Sequence, residues 1–198
     1  MFEEEYQKML AHEGGWIHHP NDRGGETYFG ISRVNHPHWS GWTKIDVVKD
    51  HNGIPDESLL DLGDEVKSFY KEKYWNRISG DSLPKILSSS LFDIAVNGGV
   101  RKAGRYLQRA LNRMNRQGKD WPDILEDGKI GPQTLKALKS FYLKRRDYSV
   151  LAFWIETQRA MLYWNIAKAD KTQEDFFNGW SKRSITKIGE LLQARVLS

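Results

Sequence analysis

Glu13 stands in His12-Glu13-Gly14-Gly15-Trp16, directly after an amphipathic segment and before a polar, glycine-rich stretch. That setting suits a carboxyl that moves a proton. Phe2, Tyr6, Met9 and Leu10 recur at helical spacing, which predicts a helix over residues 2–13 with one apolar stripe. Glu13 follows Met9 by four positions and Leu10 by three, so it falls on that stripe. Gly14-Gly15 supply the stop, because glycine accepts the left-handed backbone that closes many helices. Partial desolvation and the negative end of the helix dipole both disfavour the ionised carboxylate and raise its pKa. A carboxylic acid kept protonated near neutral pH serves as a general acid. The other reading of the same position is a solvent-facing glutamate in the last helical turn.

From Pro20 to Ser32 the chain carries strong turn signals and then a short β-prone run. A small hairpin there brings Asp22 and Thr27 back towards the end of the first helix. Cleavage of a glycosidic bond needs an acid for the leaving oxygen and a second group that places water, activates it or attacks directly. Glu13, Asp22 and Thr27 supply an acid, a carboxylate and a hydroxyl within fifteen residues. The structural alternative is that Asp22 caps a turn and Thr27 is an ordinary strand residue.

These residues carry a family resemblance. Glu13-Gly14-Gly15-Trp16 and Asp22-Arg23-Gly24-Gly25-Glu26-Thr27-Tyr28-Phe29-Gly30-Ile31 resemble the N-terminal signature of the glycoside hydrolase family 108 muramidases. These are lysozyme-like endolysins also described as secretion activator proteins. The resemblance runs on through Tyr74-Trp75, Leu83-Pro84, Phe92-Asp93-Ile94-Ala95-Val96-Asn97 and Leu107-Gln108. It then reaches Asp127-Gly128-Lys129-Ile130-Gly131-Pro132-Gln133-Thr134 and Phe177-Asn178-Gly179-Trp180. It implies that Glu13 is the catalytic acid, and that Glu13, Asp22 and Thr27 correspond to the triad of phage-type lysozymes. Thr27 follows Asp22 by five positions, one fewer than in the phage-type pattern, and Arg23 stands where many relatives have proline. The implied reaction is hydrolysis of the β-1,4 bond between N-acetylmuramic acid and N-acetylglucosamine in peptidoglycan glycan strands. A lytic transglycosylase, a chitinase-like specificity, and a non-catalytic wall-binding or secretion-accessory protein are the rival readings. Trp16, Tyr28, Tyr74, Trp75 and Asn97 are candidates for binding sugar, with packing as the alternative role for each.

The wider composition bounds these readings. Eight Trp, eight Tyr and eight Phe among 198 residues exceed what a plain helical scaffold requires, although packing accounts for most of them. The absence of cysteine excludes disulfides and thiolate metal or redox chemistry. His18-His19 and His36-Pro37-His38 lack the carboxylate-supported spacing of a metal site, so no metal or other cofactor is expected. No apolar run approaches the roughly 20 residues that span a bilayer. The acidic start Met1-Phe2-Glu3-Glu4-Glu5 does not read as a signal peptide. The expectation is synthesis in the cytoplasm and action on the wall after release or export.

A net charge of +4 points to anionic partners. Arg101, Arg105, Arg109 and Arg113 recur every four residues on one predicted helix face. They form either a solvated face or a surface drawn to the anionic cell envelope. No recognised nucleic-acid module accompanies them, so no nucleic acid is expected.

The elements that must position these residues are helical. Leu59, Leu60, Leu62, Val66, Phe69, Tyr70, Tyr74 and Trp75 predict one helix over residues 57–77 with a weak point at Gly63. Leu91 to Val96 is apolar almost all round, as in a buried central helix. Further helices are expected near 132–145, 147–168 and 173–194. Asp127-Gly128-Lys129-Ile130-Gly131-Pro132 reads as a turn feeding a helix with proline in its first turn, more scaffold than ligand contact. The expected fold is all-α and lysozyme-like, with a small β-hairpin beside the active site. Residues 1–90 form the catalytic region and 91–198 a helical peptidoglycan-binding-like region.

Overall fold

The computed structural model describes residues 1–11, 14–18 and 25–196, with side chains as far as residue 193. Helices dominate it, with one small sheet, in agreement with the expected all-α class. The chain divides into two compact units, Met1–Lys73 and Tyr74–Ser198. The sequence-based boundary at 90/91 instead falls inside a continuous helix, Lys85–Gly98.

In the first unit, helix α1 (Phe2–Leu10) opens with Glu3, Glu4 and Glu5 in its first turn and has Lys8 in its last. Both charge placements complement the helix dipole. Phe2 and Tyr6 are buried, and Tyr6 lies 6.2 Å from Tyr70 of helix α3 (Gly63–Tyr70). A three-stranded antiparallel sheet follows, formed by β1 (Trp16–His18), β2 (Glu26–Tyr28) and β3 (Ile31–Ser32), with β2 in the centre. The β2–β3 turn is Phe29-Gly30, with φ of 43° and 76°. Positive φ at both positions matches the two-residue turns that suit strand twist, and is a strained state for phenylalanine. Two bonds hold that turn. Phe29 N donates to Gly15 O at 3.2 Å, and Tyr70 Oη donates to Phe29 O at 2.8 Å.

Helix α2 (Gly41–Val47) leads to a 3-10 turn at Glu57–Leu59, and only then to α3. The single helix expected over 57–77 is therefore broken. Gly63 begins α3, and Asp64 and Glu65 in the first turn stabilise a helix N-terminus there, while Leu62 is not helical. After Tyr70 the chain widens into a π-helical turn, Lys71–Trp75.

In the second unit, α4 (Lys85–Gly98) buries Leu87, Leu91, Phe92, Ile94 and Ala95, and it packs on α5 (Val100–Met114) and α7 (Ser149–Ala169). Gly99, at φ 93°, makes the break between α4 and α5. Helix α6 (Pro132–Arg145) begins with proline, whose missing N–H costs nothing in a first turn. Helix α8 (Glu174–Val196) packs on α7. Glu156 and Arg159 of α7 are buried and paired at 2.5 Å, and Arg159 also pairs with Asp93. Burial pushes the Glu156 carboxyl up, and Arg159 opposes that shift.

The loop between α5 and α6 is held by α5 itself. Gln108, buried, donates to Asp127 Oδ1 at 2.9 Å and Lys129 O at 3.0 Å, and accepts from Gly128 N at 2.7 Å. Arg101 and Arg105 donate to the carbonyls of Asp127 and Glu126, each at 3.2 Å, and Arg109 binds the Glu126 carboxylate at 3.1 Å. Three of the four stripe arginines thus anchor this loop. Gly104 and Gly128 permit the contact: a Cβ on Gly104 would overlap the Gly128 carbonyl, and one on Gly128 the backbone of Arg101. The Asp-Gly-Lys-Ile-Gly-Pro element is scaffold in this fold.

Gly104→Ala is therefore expected to lower the thermal midpoint by roughly 2–12 °C, the cost of overpacking a closed contact. Gly179→Ala, in α8 with open space around it, should raise stability by about 0.5–1 kcal/mol. Calorimetry on both variants checks the pair, and equal midpoints would count against the close-approach argument.

Candidate functional site

Two of the three sequence-predicted catalytic residues, Glu13 and Asp22, lie outside the described residues. Thr27 is described. It sits at the middle of β2, opposite Ile17 of β1 and Ser32 of β3. Its hydroxyl is 3.4 Å from Ile17 O, a long contact that leaves the oxygen little committed. Strand alternation puts Thr27 and Ile17 on one sheet face, and Trp16, His18, Glu26 and Tyr28 on the other. The hydroxyl candidate and the two aromatic candidates of this sheet thus look in opposite directions.

The Tyr28 face is built around a carboxylate. Glu26 accepts from Trp16 Nε1 at 2.7 Å and pairs with Arg33 at 2.6 Å and Lys49 at 2.8 Å. Tyr28 is buried and stacks on Trp39 with ring centroids 6.1 Å apart. Burial, aided by Glu57 and Asp61, pushes its hydroxyl pKa up. Trp16 N donates to Glu57 Oε2 at 2.9 Å, and a Cβ on Gly15 would displace that carboxylate. The second glycine of the Glu-Gly-Gly motif is thereby explained: it clears the approach of the group that holds the start of β1.

The remaining sugar-binding candidates lie in the second unit. Trp75 is fully buried, donates to Asp81 at 2.9 Å and meets Phe92 edge to face at 5.6 Å. Its ring offers no face to a ligand here, because packing has taken both sides. Tyr74 is partly buried, and burial pushes its hydroxyl pKa up. Asn97 is exposed at the end of α4, donates to Asp93 O at 2.8 Å and accepts from Arg183 Nη1 at 2.5 Å.

Sequence reading missed an open cavity of about 800 Å³ in the first unit, lined by His36, Trp39, Lys44, Asp61, Glu65 and Lys73 among others. His36 meets Phe69 edge to face at 4.8 Å, and burial, helped by Lys73, pulls its pKa down. The run His36-Pro37-His38-Trp39 is the available signal, but it has neither helical nor strand periodicity. Among the described residues no group of three or more His, Asp or Glu is placed to hold a metal ion.

Residues 6–99 match the family model for Glycosyl hydrolase 108, and residues 102–185 match the Predicted Peptidoglycan domain. Residues 6–99 form a glycosyl hydrolase family 108 domain. It is a glycoside hydrolase of the muramidase type, and the pair of domains makes it a peptidoglycan hydrolase. The solved structure of Brucella abortus SagA is similar, with a TM-score of 0.67 and 23% identity over 97% of this chain and 94% of that one. That likeness carries the lysozyme-like, mostly helical fold. No curated protein sequence matches significantly.

Within this family 108 hydrolase the Glu26 cluster has its own acid response. Arg33 grips Asp46 through two nitrogens, at 2.7 and 3.0 Å, and its guanidinium lies 4.5 Å over the Trp42 ring. The Arg33 hydrogen bonds, with help from Lys49, pull the Asp46 pKa from the usual 3.8 to about 2. A depressed carboxylate stabilises the fold above its unfolded pKa, and that contribution is lost as pH falls through the folded value. Arg33→Met should therefore lower the thermal midpoint at pH 7, and should flatten its fall between pH 4 and 2. Parallel wild-type and variant curves through that window would exclude the coupling.

Proposed function

We propose that the enzyme hydrolyses the β-1,4 bond between N-acetylmuramic acid and N-acetylglucosamine, with Glu13 as general acid. Asp22 and Thr27 hold the attacking water on the opposite sugar face. The observation that carries this reading is the Thr27 hydroxyl, weakly engaged on the exposed Ile17 face of the central strand. A hydroxyl that orients water must keep its lone pairs available, and among the described residues nothing donates to this one. Gly15 and Trp16, which follow Glu13 in the chain, are tied to Phe29 and Glu57, so the segment leaving the acid has a fixed end. The protein reaches its substrate after release or export from the cytoplasm, in the manner of an endolysin or a secretion activator.

Glu13→Gln removes the transferable proton and little else. The expected loss of wall-clearing activity is about 10²–10⁴-fold with unchanged circular dichroism. Thr27→Ala should cut turnover strongly, and Thr27→Ser should restore most of it. Mass analysis of the products identifies the reaction: reducing-end muropeptides mark hydrolysis, and anhydro-muropeptides a lytic transglycosylase. Near wild-type clearing by Glu13→Gln would sink the acid assignment.

The envelope-facing part of the reading now rests on fewer arginines. Arg113 is exposed and makes no ion pair among the described residues, unlike the loop-anchoring Arg101, Arg105 and Arg109. Arg113→Gln should weaken wall retention at low salt, with the difference fading above ~0.1 M, where the Debye length is ~10 Å. Replacing Arg101 and Arg105 together should lower the thermal midpoint at every salt concentration. Identical salt profiles for Arg113→Gln and wild type would remove the electrostatic role.

A further inference from the structure

The second unit holds a cavity of about 230 Å³ lined from four helices. Asn97 comes from α4, Lys102 from α5, Arg159 and Tyr163 from α7, and Trp180 and Arg183 from α8. Three cations line it, against the two carboxylates of Asp93 and Glu156 that pair with them. One positive charge is therefore left over. Arg159 is only 2% exposed, and its Nε makes no hydrogen bond among the described residues. Lys102 has no ion-pair partner among the described residues, and its stem lies along Gly98, where a Cβ would come within 3.2 Å. Arg183 is held by Asn97 at 2.5 Å and Asp93 at 3.8 Å, which leaves its Nη2 without a described partner.

We infer that this cavity receives the terminal carboxylate of a peptidoglycan stem peptide. The inference rests on the peptidoglycan reading above and names the part of that polymer the second unit grips. Three features select a peptide end over a sugar. The Tyr163 and Trp180 rings stack on each other at 5.1 Å, which takes one face of each from a pyranose, and Trp180 also stacks on Phe176 at 6.0 Å. Ring edges, which remain, carry the positive side of the aromatic quadrupole and suit an anion. The volume is below the ~300–1,000 Å³ of sites that enclose a whole drug-sized ligand, so it takes the end of a longer molecule. A guanidinium and an ammonium match a carboxylate, and the apolar wall of Ile94 and Leu162 accepts an alanine methyl.

The test is titration of the full-length protein with diacetyl-Lys-D-Ala-D-Ala as the free acid and as its C-terminal amide. Tri-N-acetylchitotriose and glycerol phosphate serve as comparison ligands. The free acid should bind, and the amide should bind about 10–100-fold more weakly, the value of a hydrogen bond to a charged group. Arg183→Gln should weaken the free acid by a similar factor and leave the amide unchanged. Lys102→Met should do the same to a smaller extent, and it substitutes for the first variant should that one misfold. Equal binding of acid and amide, binding of glycerol phosphate or the glycan alone, or no binding at all would overturn the assignment. Wall clearing by the wild type separates the two claims. Clearing without acid selectivity defeats only the cavity's role, and no clearing defeats the hydrolase reading beneath it.

Discussion

The Glu26 carboxylate is the point on which the first unit turns. It is little exposed, and it binds the Trp16 indole of β1, the Arg33 guanidinium just past β3 and the Lys49 ammonium past α2. A carboxylate out of water is costly unless it is paired, and one hydrogen bond and two cations pair it here. Each donor comes from a different stretch of chain, so the same bonds that solvate the charge also fix the sheet against the α2 region. A sheet of three short strands has little stability alone. The ionic cluster and the Tyr28–Trp39 stack supply what its length does not.

A comparable arrangement recurs in the second unit with different consequences. Glu156, Arg159 and Asp93 tie α7 to α4 deep in the helical packing. Removing one member of such a group leaves a buried charge, at a cost of about 3–5 kcal/mol, whereas the intact group adds little over apolar packing. Its value is in placement: Asp93 also faces Arg183, so the charge at the cavity mouth is set from the core. The rim cations inherit their geometry from buried ones.

Much of the helical scaffold was legible in the sequence because periodicity and punctuation agree there. Pro132 opens α6, as expected, and Gly98-Gly99 close α4. The 57–77 segment failed because apolar spacing persists across Leu60 and Leu62, where the backbone is not helical. The spacing of Arg101, Arg105 and Arg109 was visible, but their partners at 126–127 are brought to them by tertiary folding, which no local pattern encodes. Trp75 shows the same limit from the other side. An aromatic pair in a recognisable motif suggests ligand contact, whereas full burial and a bond to Asp81 assign it to packing. Glu13 and Asp22 lie outside the described residues, so the catalytic assignment draws on chain order around them and on Thr27.

The alternation of β2 constrains how such a site can work. Thr27 faces away from Tyr28, and Tyr28 leans on Trp39, which lines the open cavity of the first unit. A substrate that meets the Thr27 hydroxyl therefore lies on the Ile17 face, where Ile17 is 53% exposed and offers an apolar surface beside it. The Trp39 cavity is then not where that hydroxyl acts. Its acidic and histidine rim, together with Lys44 and Lys73, is suited to charged groups more than to the neutral backbone of a glycan. Water placement and sugar stacking thus cannot both be drawn from the two faces of one hairpin. Under the proposed mechanism the aromatic platform for the glycan comes from residues other than Tyr28, whose buried ring packs on Trp39 behind the strand that carries Thr27.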